Sequence, residues 1–117
     1  MTHDTRLQVL QVRHKASGKI FAMKVLNKKG VMDRNEMTHL KAEKSILMKL
    51  ESPFLVKLYF SFQTPEKFYF VMDYINGGEL FSHLQRKKKF KVDRARFYSA
   101  EILLGLEYLH KQGIIYR

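Results

Sequence analysis

Cysteine is absent from the 117 residues, which removes disulfides, thiolate chemistry and Cys-based zinc sites together. Proline is scarce: only Pro53 and Pro65 occur, and neither sits in a linker-like stretch. There is no internal repeat and no low-complexity tract. No apolar run approaches bilayer-spanning length, and Met1-Thr2-His3-Asp4 lacks the basic-then-apolar shape of a signal peptide. The expectation is a soluble, cytoplasmic protein with no membrane span. Acidic residues are also in short supply, with 11 Asp and Glu against 22 Lys and Arg, for a net charge of +11. Such a balance favours phosphate-bearing ligands, nucleic acid, anionic lipid or an acidic partner.

What is present reads as globular. Hydrophobic residues make up 45% and charged residues 28%, which excludes wholesale disorder. The length fits one small domain or a piece of a larger one. The densest basic run is Arg86-Lys87-Lys88-Lys89-Phe90-Lys91, followed by Arg94 and Arg96. It reads first as a solvated surface turn before a helix. A nuclear-import or nucleic-acid patch is the alternative, which would add the nucleus as a second location. Base-stacking aromatics other than Phe90 are missing there, so nucleic acid is the weaker reading.

Residues Leu7 to His14 alternate loosely, Ala16-Ser17-Gly18 makes a turn, and Lys19 to Leu26 returns as a second strand. Leu55 to Phe62 and Lys67 to Asp73 form another strand pair, rich in aromatic and β-branched residues, joined by Gln63-Thr64-Pro65-Glu66. Between the pairs, Leu40, Ile46, Leu47 and Leu50 make a helical stripe over Asn35 to Leu50, ended by Ser52-Pro53. Asn76-Gly77-Gly78 is a joint, Glu79 to Gln85 a short helix. A longer helix begins near Asp93, a candidate N-cap, and ends at Gly113, a candidate C-cap. Phe97, Tyr98, Ile102, Leu103, Leu104, Leu106, Tyr108 and Leu109 cover most of its circumference, so it needs neighbours on several sides. Only Ile114 to Arg117 follow, and the chain reads as a fold that stops early.

Two charges sit where the pattern expects apolar residues. Period-two alternation puts Lys24 on one face with Ala22 and Leu26, while Phe21, Met23 and Val25 take the other. Glu43 falls within the stripe Leu40, Leu47 and Leu50. A charge without a partner in such places is costly, so Lys24 and Glu43 are expected to meet across a helix–sheet interface. The alternative is that Lys24 snorkels to water and Glu43 marks the edge of the stripe. If they meet, the fixed ammonium is a donor to anionic oxygens, with phosphate the natural ligand.

Together these residues resemble a known family. Phe21-Ala22-Met23-Lys24 is similar to the third-strand lysine motif of protein kinases, and Glu43 follows 19 residues later, where their αC glutamate belongs. The match continues through Pro53-Phe54-Leu55-Val56-Lys57-Leu58, Phe60-Ser61-Phe62-Gln63-Thr64 and Asp73 to Phe81. It closes with Arg94 to Ile102 and Tyr108-Leu109-His110. The pattern is similar to the AGC group of Ser/Thr kinases, nearest to serum- and glucocorticoid-regulated and Akt-type members. The resemblance implies an α+β fold. A small lobe and hinge (1–75) would hold an antiparallel sheet with its αC helix, and the start of a large lobe (76–117) would hold helices αD and αE.

The same resemblance assigns roles. Lys24 would contact the α- and β-phosphates of ATP with Glu43 as its anchor. Val9 and Ala22 would cover adenine, Met72 would be the gatekeeper, and the backbones of Asp73 and Ile75 would hydrogen-bond the base. Glu79 would reach the ribose and a substrate Arg upstream of the acceptor Ser or Thr. His39, one turn before Glu43, matches a histidine that meets the activation-loop phosphate; alone it would read as a surface imidazole. Leu47, Leu58 and Tyr116 match hydrophobic-spine positions. The implied partners are ATP, with Mg in the intact family, and protein substrates.

Two departures bear on activity. The family's glycine-rich loop should place glycines at positions 2, 4 and 7, where Thr2, Asp4 and Leu7 stand. Without glycine the backbone cannot approach phosphates closely, and Asp4 adds a like charge. Ile114-Ile115-Tyr116-Arg117 resembles the start of the catalytic loop, and the catalytic Asp would follow Arg117, so the chain alone holds no catalytic base and no metal ligand. It is expected to be inactive as written. A non-catalytic module is the alternative function. Leu40 to Leu50 and Tyr59 to Gln63 would line a groove for a hydrophobic tail peptide or a kinase partner.

Overall fold

The computed structural model describes residues 7–30 and 34–116. Its first elements are the expected hairpin, β1 (Leu7–Arg13) and β2 (Ile20–Asn27). The turn is closed by the His14 N–H to the Lys19 carbonyl at 2.8 Å and by the Ser17 hydroxyl with His14 Nδ1 at 2.7 Å. A single 3-10 turn, Lys28–Gly30, leaves β2. Helix α1 spans Arg34–Lys49, followed by β3 (Leu58–Gln63), β4 (Lys67–Asp73), α2 (Leu80–Lys87) and α3 (Val92–Lys111). The four strands form one antiparallel sheet in the order β1-β2-β4-β3. The structure thus has the α+β composition expected, with β3 three residues shorter at its start than the sequence pattern suggested.

The chain divides into two compact units, residues 1–51 with 56–74, and residues 52–55 with 75–117. In the first, α1 lies against β3. Its Met37, Leu40 and Leu47 pack on a buried cluster of Leu58, Phe68 and Phe70, joined by Leu26 and Met72. Full burial of a side chain such as Leu58, Phe68 or Phe70 stabilises by about 1.5–3 kcal/mol. The strand register explains why these residues converge. Cross-strand partners share a face, and Leu58 pairs with Met72, Ser61 with Phe70, and Gln63 with Phe68. A bulge between Leu58 and Phe60 inserts Tyr59 as an extra residue. Both Tyr59 and Phe60 therefore pack their rings on Phe21, at 5.1 and 6.2 Å, on the face away from α1.

In the second unit, α3 is capped two residues earlier than Asp93, the expected N-cap. Lys91 is the N-cap, extended at φ −63° and ψ 155°, and Asp93 sits in the first turn, where its charge complements the helix dipole. At the other end Gly113 adopts φ 78°. Its N–H reaches the His110 carbonyl at 3.0 Å and the Ile114 N–H reaches Leu109 at 2.9 Å. That is the Schellman pattern, in which the left-handed residue is glycine because a Cβ is penalised there. Segment 52–55 belongs to this unit because it packs on α3 at Gly105. A Cβ built there would lie 3.6 Å from Phe54 and 3.8 Å from Leu55. Of the many apolar residues of α3, Leu109 is buried, while Phe97, Ile102 and Leu103 are exposed. Tyr116, expected at a spine position, is 77% exposed.

Candidate functional site

The register of the sheet places four of the expected site residues on one surface. Val9 pairs with Lys24, and Ala22 pairs with Met72. With Lys24 opposite Phe70 on β4, the face carrying Val9, Ala22, Lys24 and Met72 is the one that turns toward α1. Val9 is 58% exposed and Ala22 and Met72 are half-buried. Beside them lies a cavity of about 190 Å³ whose walls include Lys24, Glu43, Leu47, Leu58, Phe70 and Met72. Its floor is apolar, and Lys24, Glu43 and Lys44 bring charge to its rim. Leu7, at the third position of the missing glycine loop, also lines it; positions 2 and 4 lie outside the described residues, as does Arg117.

The expected ion pair is not formed. Lys24 and Glu43 line the same cavity, yet no ion pair joins them, and both are exposed rather than buried. The main strand contacts of α1 are with β3, while Lys24 stands on β2. In water an exposed ammonium and carboxylate gain only about 0–1 kcal/mol from pairing, so nothing obliges them to close. The snorkelling alternative describes this structure better. A phosphate entering the cavity would meet an ammonium that water already reaches, over an apolar floor, and the residues present fit a nucleotide phosphate. Among the described residues no three His, Asp or Glu side chains gather as a metal site.

Asp73, at the end of β4, is held from two sides. Its carboxylate accepts the Lys57 N–H at 3.0 Å and the Tyr59 hydroxyl at 2.8 Å, and its own N–H donates to the Lys57 carbonyl at 3.0 Å. Any base contact from the Asp73 backbone therefore has to come from its carbonyl. Lys19 lies 4.7 Å from the Tyr59 ring centre. Burial would push the Asp73 carboxyl up, but the Lys57 N–H, the Tyr59 hydroxyl and the charges of Lys19 and Lys57 outweigh it and hold the carboxyl below its ordinary value. This tether was not expected from the sequence, because it depends on the bulge at Tyr59.

The remaining candidates are spread over both units. His39 is exposed on α1, four residues before Glu43. Ile75 and Glu79 belong to the second unit and are exposed. Glu79 is the N-cap of α2, but its carboxylate makes no capping bond; the Glu79 carbonyl accepts the Ser82 and His83 N–H groups. A separate groove of about 160 Å³ lies between α1 and the strands, lined by Leu40, Lys41, Lys44, Phe62, Phe68 and Phe70 among others. Tyr59, expected on this groove, is absent from its lining because the bulge turns its ring to the Phe21 side.

Comparison with known proteins completes the description. Residues 6–117 match the protein kinase domain family. A RAC family serine/threonine-protein kinase homolog of Dictyostelium discoideum is 56% identical over 110 residues, 94% of this chain and 25% of that protein. Serine/threonine-protein kinase sgk-1 of Caenorhabditis elegans is 56% identical over 111 residues, covering 94% and 24%. Human serine/threonine-protein kinase Sgk2 is 53% identical over 111 residues, covering 94% and 30%. The chain thus spans about a quarter to a third of the length of these curated relatives.

Proposed function

The chain belongs to the protein kinase family, in the AGC group of Ser/Thr kinases, and on that premise we propose that its cavity is the nucleotide-facing part of an ATP site. Lys24 takes the α- and β-phosphates with Glu43 drawn in as its anchor. Val9 and Ala22 cover the base, Met72 guards the back, and the Asp73 carbonyl and Ile75 backbone bind the adenine edge. In the whole protein the activity is transfer of the ATP γ-phosphate to protein Ser or Thr, with Glu79 favouring an upstream basic residue and His39 meeting an activating phosphate. The observation that carries this reading is the register that sets Val9, Ala22, Lys24 and Met72 on one face beside a cavity shared with Glu43.

Phosphoryl transfer needs a positioned base and metal ligands as well, and the residue expected to supply the base would follow Arg117. The 117-residue polypeptide is therefore expected to bind Mg-ATP without transferring phosphate. Thermal denaturation checks the first part: Mg-ATP raises the melting temperature, and Lys24→Met removes the rise. Labelled ATP with a basic peptide checks the second, and incorporation of label would refute it. The groove of about 160 Å³ favours a second reading, capture of a hydrophobic tail peptide between α1 and the strands. In that case an aromatic tail peptide shifts the melting temperature equally in the parent chain and in Lys24→Met, and less in Phe62→Ala.

A further inference from the structure

The basic run between α2 and α3 forms a concave site that the kinase reading leaves without a role. A cavity of about 390 Å³ is lined by Lys87, Lys89, Phe90, Lys91 and Arg94. It is larger than the two cavities beside α1 and falls within the range of ligand pockets, about 300–1,000 Å³. Four of its five lining residues are cations and none is a carboxylate; Asp93, in the first turn of α3, is not among them.

Two features distinguish this site from a solvated charge run. Arg94 is fixed in place: its Nε donates to the Tyr98 hydroxyl at 3.0 Å, and its guanidinium lies 4.7 Å from the Phe90 ring centre and 5.5 Å from that of Tyr98. The two rings brace each other edge-to-face at 5.3 Å. A guanidinium held this way loses little freedom on binding, and its remaining N–H groups suit paired phosphate oxygens. The second feature is the backbone. Lys88, which ends α2, has φ 65°, the one positive value at a non-glycine position among the described residues. Glycine is the unstrained choice there, yet the chain holds lysine and turns sharply between Lys87 and Lys89.

We propose that this pocket is a recognition site for a ligand bearing adjacent phosphate groups, carried by a soluble polyphosphate or by a phosphorylated lipid headgroup. Lys87, Lys89 and Lys91 supply charge around the rim and Arg94 supplies directed donors from the wall. Adjacent phosphates match several cations at once, so inorganic phosphate competes about a hundredfold less well than a clustered probe.

Calorimetric titration of the full 117-residue chain with inositol hexakisphosphate tests the site. Lys89→Gln and Lys91→Gln are each expected to weaken binding about tenfold. Lys88→Gln removes the same charge outside the pocket and weakens it less than twofold to threefold, roughly, by screened attraction alone. Tyr98→Phe leaves the charge unchanged but frees Arg94, and it weakens binding about threefold. Vesicles carrying phosphatidylinositol bisphosphate, compared with phosphatidylserine vesicles of equal surface charge, identify the source. Preferential retention that inositol hexakisphosphate competes away assigns a lipid headgroup, and binding of the soluble probe alone assigns a free polyphosphate; both uphold the site. The proposal is overturned if Lys88→Gln costs as much as Lys89→Gln, if Tyr98→Phe has no effect, or if a single-stranded oligonucleotide outcompetes inositol hexakisphosphate at equal phosphate concentration.

Discussion

Asp73 carries its charge where burial and polar partners pull in opposite directions, and the partners win. Its carboxyl titrates lower in the folded chain than in the unfolded one, where the ordinary value is 3.8. The stabilisation is therefore fully present above that ordinary value and is lost as pH falls through the lower, folded value. Asp73→Asn keeps an oxygen acceptor but removes the charge that strengthens both hydrogen bonds. Partial exposure limits the cost to about 1 kcal/mol at neutral pH. Urea unfolding of parent and variant should show that gap near neutrality and a shrinking one as pH is lowered below the ordinary value of 3.8. Lys24 and Glu43 are a contrasting case: water reaches both, so they lie across a cavity without pairing. Their residue types and spacing are readable in one dimension. Whether they touch depends on where α1 meets the sheet.

Among the elements, α3 has a glycine at an interior position, Gly105, which ordinarily costs a helix about 0.5–1 kcal/mol relative to alanine. A Cβ there would sit 3.6 Å from Phe54, an ordinary van der Waals contact. Gly105→Ala is thus expected to stabilise by about 0.5–1 kcal/mol, and Gly105→Leu, which has to displace the 52–55 segment, to destabilise by about 1–3 kcal/mol. Thermal melts of the two variants check both signs. The sequence pattern assigned Leu55 to a strand, since Leu55-Val56 beside Leu58-Tyr59-Phe60 is rich in strand formers. In the structure Leu55 packs on Gly105 instead, and β3 starts at Leu58. Propensity could not reveal this, because the competing contact is made with a residue fifty positions away.

For the chain as a whole, the amount of apolar surface left open is the dominant fact. Phe97, Ile102 and Leu103 on α3 are 60%, 54% and 64% exposed, and Phe81 on α2 is 63% exposed. Exposed large apolar side chains of this kind favour association. Ile102→Gln with Leu103→Gln is expected to lower binding of a hydrophobic dye and to raise solubility. It should change stability by less than about 0.5 kcal/mol per site, since neither side chain is buried. Sedimentation at several concentrations together with dye fluorescence measures the outcome. Among the described residues no helix is long and apolar enough to cross a membrane, so these side chains do not mark a span.

Alternation in residues 7–13 and 20–27, the stripe on α1 and the glycine after α3 already specified which segments become strands and which become helices, because those choices follow from local periodicity and capping. The same one-dimensional order carried the kinase motifs and their spacing. Three-dimensional packing decided what local pattern does not encode. It inserted the bulge that sends Tyr59 to Asp73 and away from the α1 groove. It left Lys24 and Glu43 open to water across one cavity. It also wrapped the turn at Lys88 so that Arg94, braced by Phe90 and Tyr98, faces the same hollow as three lysines. Each of these depends on contacts between residues distant in the chain or on a backbone angle that the residue type disfavours, and such features arise only once the elements meet.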